Sequence, residues 1–285
     1  EGVTSHRQRI NEGALGRRGL VDMKLSTLCN LVCKMCEVKS SSRWFSMVKH
    51  TPQFDWHPHQ SARGTDTDDL NRNDGNMDHI LAHLETADYI KFTGGEPMMQ
   101  SQVKQLLEHA VTHGWSQRQT LQITTNCTQA WSKDWVSLMD RFRAVQIQCS
   151  VDGIERRYEY VRQGATWGTV WHNLCVLRDL CVERPTWQFS IQSLDMAITM
   201  AQRLIIPAFY QQHHMPVQLT SCHHPAYYSY RAITEPLRQR YQVRYQVPYD
   251  DAQWQLLCRH QSYHDAVWHT DFRVECPELF ETRLP

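Results

Sequence analysis

Six short apolar runs alternate with five amphipathic ones between residues 20 and 221, and this alternation restricts the fold more than any other property of the chain. LVDMKLS (20–26), ADYIKFTG (87–94), TLQITTN (120–126), AVQIQCSVD (144–152), TWQFSIQS (186–193) and PVQLTS (216–221) are rich in apolar and β-branched residues and read as strands. Between them, residues 76–87, 101–114, 132–142, 166–183 and 194–212 repeat apolar side chains three and four apart, which predicts helices, and Ser132 stands as an N-cap. Strands separated by helices pair through right-handed crossovers into a parallel sheet, so the class is α/β. Six units fall short of the eight that close a full barrel, which leaves a partial (β/α)6 TIM-like barrel or an open sheet. In either, chemistry gathers at the C-terminal ends of the strands.

The pattern divides the chain into an N-terminal linker (1–19), a barrel core (20–225) and a C-terminal extension (226–285). Residues 46–75 are polar and rich in Pro, Gly and Asp, and read as a long inserted loop. The extension loses the strand signal and becomes short helices rich in Tyr, Gln and Arg, expected to cover the open side of the sheet. The chain begins with Glu1 instead of Met, as a processed or trimmed product would, with something N-terminal missing.

Composition excludes several classes. Hydrophobic residues make up 41% and charged residues 21%, an ordinary globular mixture. Thirty basic and thirty acidic side chains cancel formally, so no global field draws the chain to nucleic acid or membrane. No apolar run approaches the roughly 20 residues of a membrane helix, and the N-terminal stretch lacks the apolar core of a signal peptide. A soluble, cytoplasmic protein is expected. Ten cysteines without a secretory signal fit a reducing compartment. Cys127, Cys149, Cys175, Cys181, Cys222, Cys258 and Cys276 are scattered and read as small buried side chains.

The remaining three lie in CNLVCKMC, at Cys29, Cys33 and Cys36, directly after the first strand. Three thiolates do not complete a four-cysteine iron–sulfur site or a structural zinc site. A three-ligand centre leaves one position open for a substrate or cosubstrate. A chance loop of three cysteines is the alternative. GGEP closes the second strand, TTN the third and SVDG the fourth, so all four motifs fall on one rim. Taken singly, GGEP and SVDG are also ordinary turn sequences, Glu96 can cap its own helix, and Arg162 can be a solvated helix residue.

CNLVCKMC resembles the CxxxCxxC signature of the radical S-adenosylmethionine (radical SAM) enzymes, and the match extends to FTGGEP (92–97) and to SVDG (150–153) followed by Arg162. The resemblance covers roughly residues 20–220 and implies a partial barrel of six units. It implies a [4Fe–4S] cluster on Cys29, Cys33 and Cys36, with the open iron chelated by S-adenosyl-L-methionine (SAM). Reductive cleavage of SAM then gives a 5′-deoxyadenosyl radical that abstracts hydrogen from a substrate. Thr93, Gly94, Gly95 and Glu96 would meet the methionine ammonium, and Ser150, Asp152 and Arg162 the region of its carboxylate. Thr125 and Asn126 would meet the ribose, Met35 the adenine, and Gln192 the same pocket. An external electron donor such as a flavodoxin or ferredoxin is implied.

KSSSRW, YVRQGATW (160–167) and TDFRVECPELFE (270–281) resemble twitch-domain radical SAM proteins, in which a small cysteine-bearing domain precedes the barrel. The spacing of Cys222, Cys258 and Cys276 does not match a C-terminal auxiliary cluster. The Ser150–Arg162 arrangement favours a peptide or protein side chain as substrate. A small metabolite or nucleoside is the alternative, and a non-catalytic iron–sulfur or zinc protein is the alternative of another class. The catalytic residues acting on the substrate are not legible, and the paired histidines at 57–59, 213–214 and 223–224 read as surface residues.

Overall fold

The computed structural model describes residues 19–50, 74–243 and 247–281. Most of the N-terminal linker and most of the inserted loop, with the histidines at 57 and 59, lie outside the described residues. Strands β1 (Leu20–Lys24), β2 (Tyr89–Thr93), β3 (Thr120–Thr125), β4 (Ala144–Ser150), β5 (Trp187–Asp195) and β6 (Val217–Ser221) form one six-stranded sheet in sequential order. Every pairing in it is parallel. The crossovers carry α1 (Ser42–His50) and α2 (Asp74–Thr86) between β1 and β2, and α3 (Ser101–Thr112) between β2 and β3. Next come α4 (Lys133–Met139), α5 (Glu155–Val161), α6 (Trp167–Glu183) and α7 (Ile206–Gln212). The Ser132 hydroxyl accepts from the Trp135 amide at 3.4 Å and caps α4 as expected. Among the described residues no helix is long and apolar enough to cross a membrane.

The helix expected over 194–212 is broken. β5 continues to Asp195, a short 3-10 turn runs over Ala197–Gln202, and α7 starts at Ile206. Pro207, which has no N–H to donate, sits in the first turn of α7, where none is needed. Asp195 is held extended by Arg203, whose Nε donates at 3.0 Å, and by the Tyr230 hydroxyl.

The two faces of the sheet differ. On one, Ile90, Phe92, Leu121, Ile123, Val145, Ile147 and Ile191 are at most 1% exposed. They lie in one core with Leu106 and Leu107 of α3 and Leu174 and Leu177 of α6. Each such side chain contributes about 1.5–3 kcal/mol of hydrophobic stabilisation. On the other face Lys91, Gln122, Gln146 and Gln148 are half-buried. A flat parallel sheet carries helices on both faces and is apolar on both. Helices on one side and polar groups on the other make this sheet the wall of a partial barrel, with the polar face turned inward.

The extension adds α8 (Glu235–Arg240), α9 (Asp251–Trp268) and α10 (Phe272–Glu275). It docks beside α5. Arg157 pairs with Glu278 at 2.8 Å, both nearly buried, and Arg156 with Glu275 at 2.7 Å. The Tyr160 hydroxyl donates to Gln261 at 2.9 Å. Arg157→Ala would leave the Glu278 carboxylate buried and unpaired, a loss of about 3 kcal/mol. Urea unfolding should show that loss, and limited proteolysis should release the segment after residue 247 faster than in the wild type.

Candidate functional site

The cysteine loop is folded by its own neighbours in sequence. The Ser41 hydroxyl donates to the Leu31 carbonyl at 2.7 Å, the Ser42 amide to Thr27 at 2.7 Å, and the Ser42 hydroxyl accepts from the Cys29 amide at 3.2 Å. Arg43 donates to the Asn30 carbonyl at 2.7 Å. Trp44, fully buried, donates its indole N–H to the Cys33 carbonyl at 2.8 Å. On the far side Val32 and Cys33 pair antiparallel with Gln163 and Arg162. Cys33 is buried, while Cys29 and Cys36 are half-buried, and all three are free thiols.

The loop rests on the end of β2. Gly94 and Gly95 adopt φ of +77° and +51°, in the left-handed region that glycine enters without strain. A Cβ on Gly95 would stand 2.3 Å from the Leu28 carbonyl oxygen, and that oxygen accepts from the Glu96 amide at 2.7 Å. Only a glycine lets the two backbones approach so closely.

Glu96 is fully buried, and its carboxylate ties β2 to β3. It accepts from the Thr125 hydroxyl at 2.7 Å, the Asn126 amide at 2.7 Å and the Met98 amide at 3.2 Å. Burial raises its pKa to about 6, against the pull of these bonds and of Arg162. The Asn126 side chain donates to Asn30 at 3.0 Å and points its other hydrogen at the Cys29 sulfur, 3.8 Å away.

A second buried carboxylate serves Cys33. Asp152 accepts from Arg162 at 2.6 and 2.8 Å and from the Leu194 amide at 2.6 Å. The remaining guanidinium nitrogen, Nη1, lies 3.7 Å from the Cys33 sulfur. Burial opposes the charge of Arg162, but the Asp152 carboxylate and the thiols hold its pKa above the ordinary value. Burial and the neighbouring Cys33 push the Cys29 thiol up to about 11. Cys33 gives its hydrogen to Cys36, which raises Cys33 and lowers Cys36, and Arg162 favours the thiolate on both.

The residues singled out in the sequence thus fall into two groups. Glu96, Thr125, Asn126, Asp152 and Arg162 surround the cysteine loop. Thr93, Ser150 and Gln192 lie on the inward face of the sheet. There Thr93 donates to Asp22 at 3.3 Å, Gln192 donates to Gln218 at 3.1 Å, and Ser150 is in register with Gln192. Met35 is only 9% exposed and packs into the core. The sequence reading missed Asn30, Trp44 and Lys34. Lys34 is fully buried with its ammonium 4.0 Å over the Tyr160 ring, and burial lowers its pKa to about 7. Apart from Gln192, it also missed the inward glutamines of β3 to β6, which fall on the polar positions of the period-two alternation.

Among the described residues no three His, Cys, Asp or Glu converge on a single metal-ion position. That applies equally to Cys222, Cys258 and Cys276. Cys127 cannot supply a fourth sulfur to the loop, because it is fully buried and hydrogen-bonded to Cys149.

Glu96 binds its proton more tightly folded than unfolded, where its pKa is 4.5. Its contribution therefore favours the folded state below about pH 4.5 and is lost as pH rises through about 6. Glu96→Gln removes this titration. Relative to the wild type, the variant should gain about 2 kcal/mol between pH 4.5 and 6.5 in urea unfolding; a pH-independent difference would show an ordinary carboxylate. Gly95→Ala should destabilise the chain by roughly 1–3 kcal/mol, through the strained φ and the contact with Leu28.

No family model and no curated protein sequence matches the chain. Solved structures do. The chain superposes on His6-tagged anSMEcpe with bound AdoMet at 16% identity and a TM-score of 0.51, over 75% of this chain and 54% of that one. Native anSMEcpe with bound AdoMet and Cp18Cys peptide aligns at 17% identity and a TM-score of 0.50, over 75% and 55%. The radical S-adenosylmethionine methyltransferase TsrM from Kitasatospora setae, with tryptophan substrate and aza-SAM bound, aligns at 17% identity and a TM-score of 0.44, over 72% and 36%. The chain spans about half the length of the anSMEcpe structures, and it shares with them the partial β/α barrel.

Proposed function

We propose that the chain is a radical SAM enzyme that modifies a peptide or protein side chain, with residues 20–225 as its catalytic core. The observation that carries the reading is the cysteine loop: three free thiols on the C-terminal rim, Cys29, Cys33 and Cys36, seated on a glycine pair. The fold shared with AdoMet-bound anSMEcpe supports it. A single metal ion needs every ligand about 2.0–2.3 Å from one point, whereas a multi-iron cluster is held through cysteine thiolates. The donor set therefore fits a [4Fe–4S] cluster on Cys29, Cys33 and Cys36, with one iron left for SAM. When bound, such a cluster supplies the electron that cleaves SAM to methionine and a 5′-deoxyadenosyl radical, which takes hydrogen from the substrate.

The chain's own groups have separable roles. The Arg162 guanidinium, held by Asp152, favours the Cys33 and Cys36 thiolates that ligation requires. The space beside Gly94 is taken by the Lys24 side chain and that beside Gly95 by the Leu28 carbonyl, so the glycine pair seats the cysteine loop on the strand end. A carboxylate has about four lone-pair positions, so Glu96, with three bonds made, retains one for a ligand ammonium. Of the five guanidinium N–H groups of Arg162, Asp152 takes one from Nε and one from Nη2 and the Cys33 sulfur faces one on Nη1, which leaves one on each of Nη1 and Nη2 for a SAM carboxylate. Thr125 and Asn126 act through Glu96 and Cys29, while Thr93, Ser150 and Gln192 face inward. An external one-electron donor of flavodoxin or ferredoxin type completes the cycle.

Anaerobic reconstitution with iron and sulfide should give about four irons per chain, and dithionite with SAM should then yield 5′-deoxyadenosine. A variant with Cys29, Cys33 and Cys36 all changed to Ala should lose both. Full iron retention in that variant, or no SAM cleavage by the reconstituted wild type, would overturn the reading.

A further inference from the structure

Six glutamines lie on one face of four successive strands: Gln122 in β3, Gln146 and Gln148 in β4, Gln188 and Gln192 in β5, and Gln218 in β6. The register aligns Gln122 with Gln146 and Gln188, and Gln192 with Gln218, so all six share the inward face. None is buried. The core does not need them, because the hydrophobic side of the same strands is closed by helices.

Two properties define what this wall would bind. The first is neutrality. Charged side chains on the inward face, Asp22, Lys24 and Lys91, stand on β1 and β2, and Lys91 is paired with Asp22 at 2.8 Å. From β3 to β6 the inward positions carry no charge, since Asp195 lies on the opposite, buried face. Arg143, just before β4, donates to the inward Thr120 hydroxyl at 2.7 Å at the N-terminal edge of the wall, while the strand positions themselves offer a phosphorylated or polycarboxylate ligand no cation for charge-assisted bonds. The second is the ordering of the amides. The Tyr89 hydroxyl lies 2.6 and 2.7 Å from the carboxamide oxygens of Gln122 and Gln146, and the Gln148 oxygen accepts from Thr124 at 3.1 Å and Gln122 at 3.4 Å. The single Tyr89 hydrogen serves one of these two oxygens at a time, whereas the Gln148 oxygen has two donors of its own, so Gln148 offers its N–H groups in a fixed position, which reduces the entropy lost on binding.

Four strands about 4.8 Å apart make a wall roughly 14 Å wide. That is the reach of about four extended residues at ~3.3 Å each, and more than a small metabolite spans. We propose that this glutamine wall recognises an extended, uncharged segment of a peptide substrate, with carboxamide N–H groups donating to its main-chain carbonyls. The inference rests on the radical SAM reading and names the substrate class of that site.

A library of capped random decapeptides, passed over the immobilised wild-type chain with SAM present, provides the test. Retained peptides should be depleted in Asp, Glu, Lys and Arg over a central window of about four residues. Gln148→Glu, at a half-buried position, should shift retention at least about tenfold toward peptides with Lys or Arg in that window. A variant that merely failed to fold would retain nothing and not gain this preference, and Gln122→Glu repeats the test on the neighbouring strand. Retention of acidic peptides, no peptide retention by the wild type, or unchanged selection in both variants would overturn the inference. SAM cleavage by the reconstituted wild type separates the two readings: cleavage without peptide retention sinks only the wall, and retention without cleavage sinks only the radical chemistry.

Discussion

The rim of the barrel depends on one close approach of two backbones. Where β2 ends, Gly95 lies against the carbonyl of Leu28, and the Glu96 amide donates to that same oxygen at 2.7 Å. This bond fixes the height of the cysteine loop above the strand ends. It also turns the Glu96 side chain down into the core, where the carboxylate reaches Thr125 and Asn126. Asn126 in turn faces Cys29 and Asn30. A buried carboxylate with three donors is costly to disturb, because any donor removed leaves part of the charge unsatisfied. Strand ends, loop and thiols are thereby one unit.

Asp152 repeats the device on the other side of the loop. It anchors Arg162 and the Leu194 amide, and Arg162 carries positive charge to Cys33. The thiols are thus flanked by an amide donor at Cys29 and a guanidinium at Cys33. Of the two, the guanidinium favours the thiolate at Cys33 and Cys36. The C-terminal extension contributes from outside: α9 brings Gln261 to Tyr160 and His264 to Gln163, the residue next to Arg162. Its docking beside α5 leaves the inward face of the sheet lined by half-exposed amides.

Much of this was legible in local pattern. The six strands and the helices over 74–86, 101–112, 133–139 and 167–183 follow from hydrophobic period, because burial on one face imposes it. The break at residues 196–205 did not follow. Apolar spacing continues through it, and it takes Pro207 together with the hold on Asp195 to interrupt the helix. The six glutamines were visible as polar members of the period-two alternation in four strands, but period alone does not say which face is open. Which face is covered is settled by packing, since the helices lie against the apolar side of the same strands.

The sequence by itself determined a parallel β/α sheet, a loop of three cysteines after the first strand, and three further motifs on the same rim. Those are consequences of short-range spacing, which the chain carries in every conformation. Only the tertiary structure decided the partners. Glu96 meets a strand end thirty residues away, and Arg162 meets Asp152 and Cys33 instead of solvent. Such pairings are set by which buried charge must be neutralised in which cavity, and that depends on packing of the whole sheet.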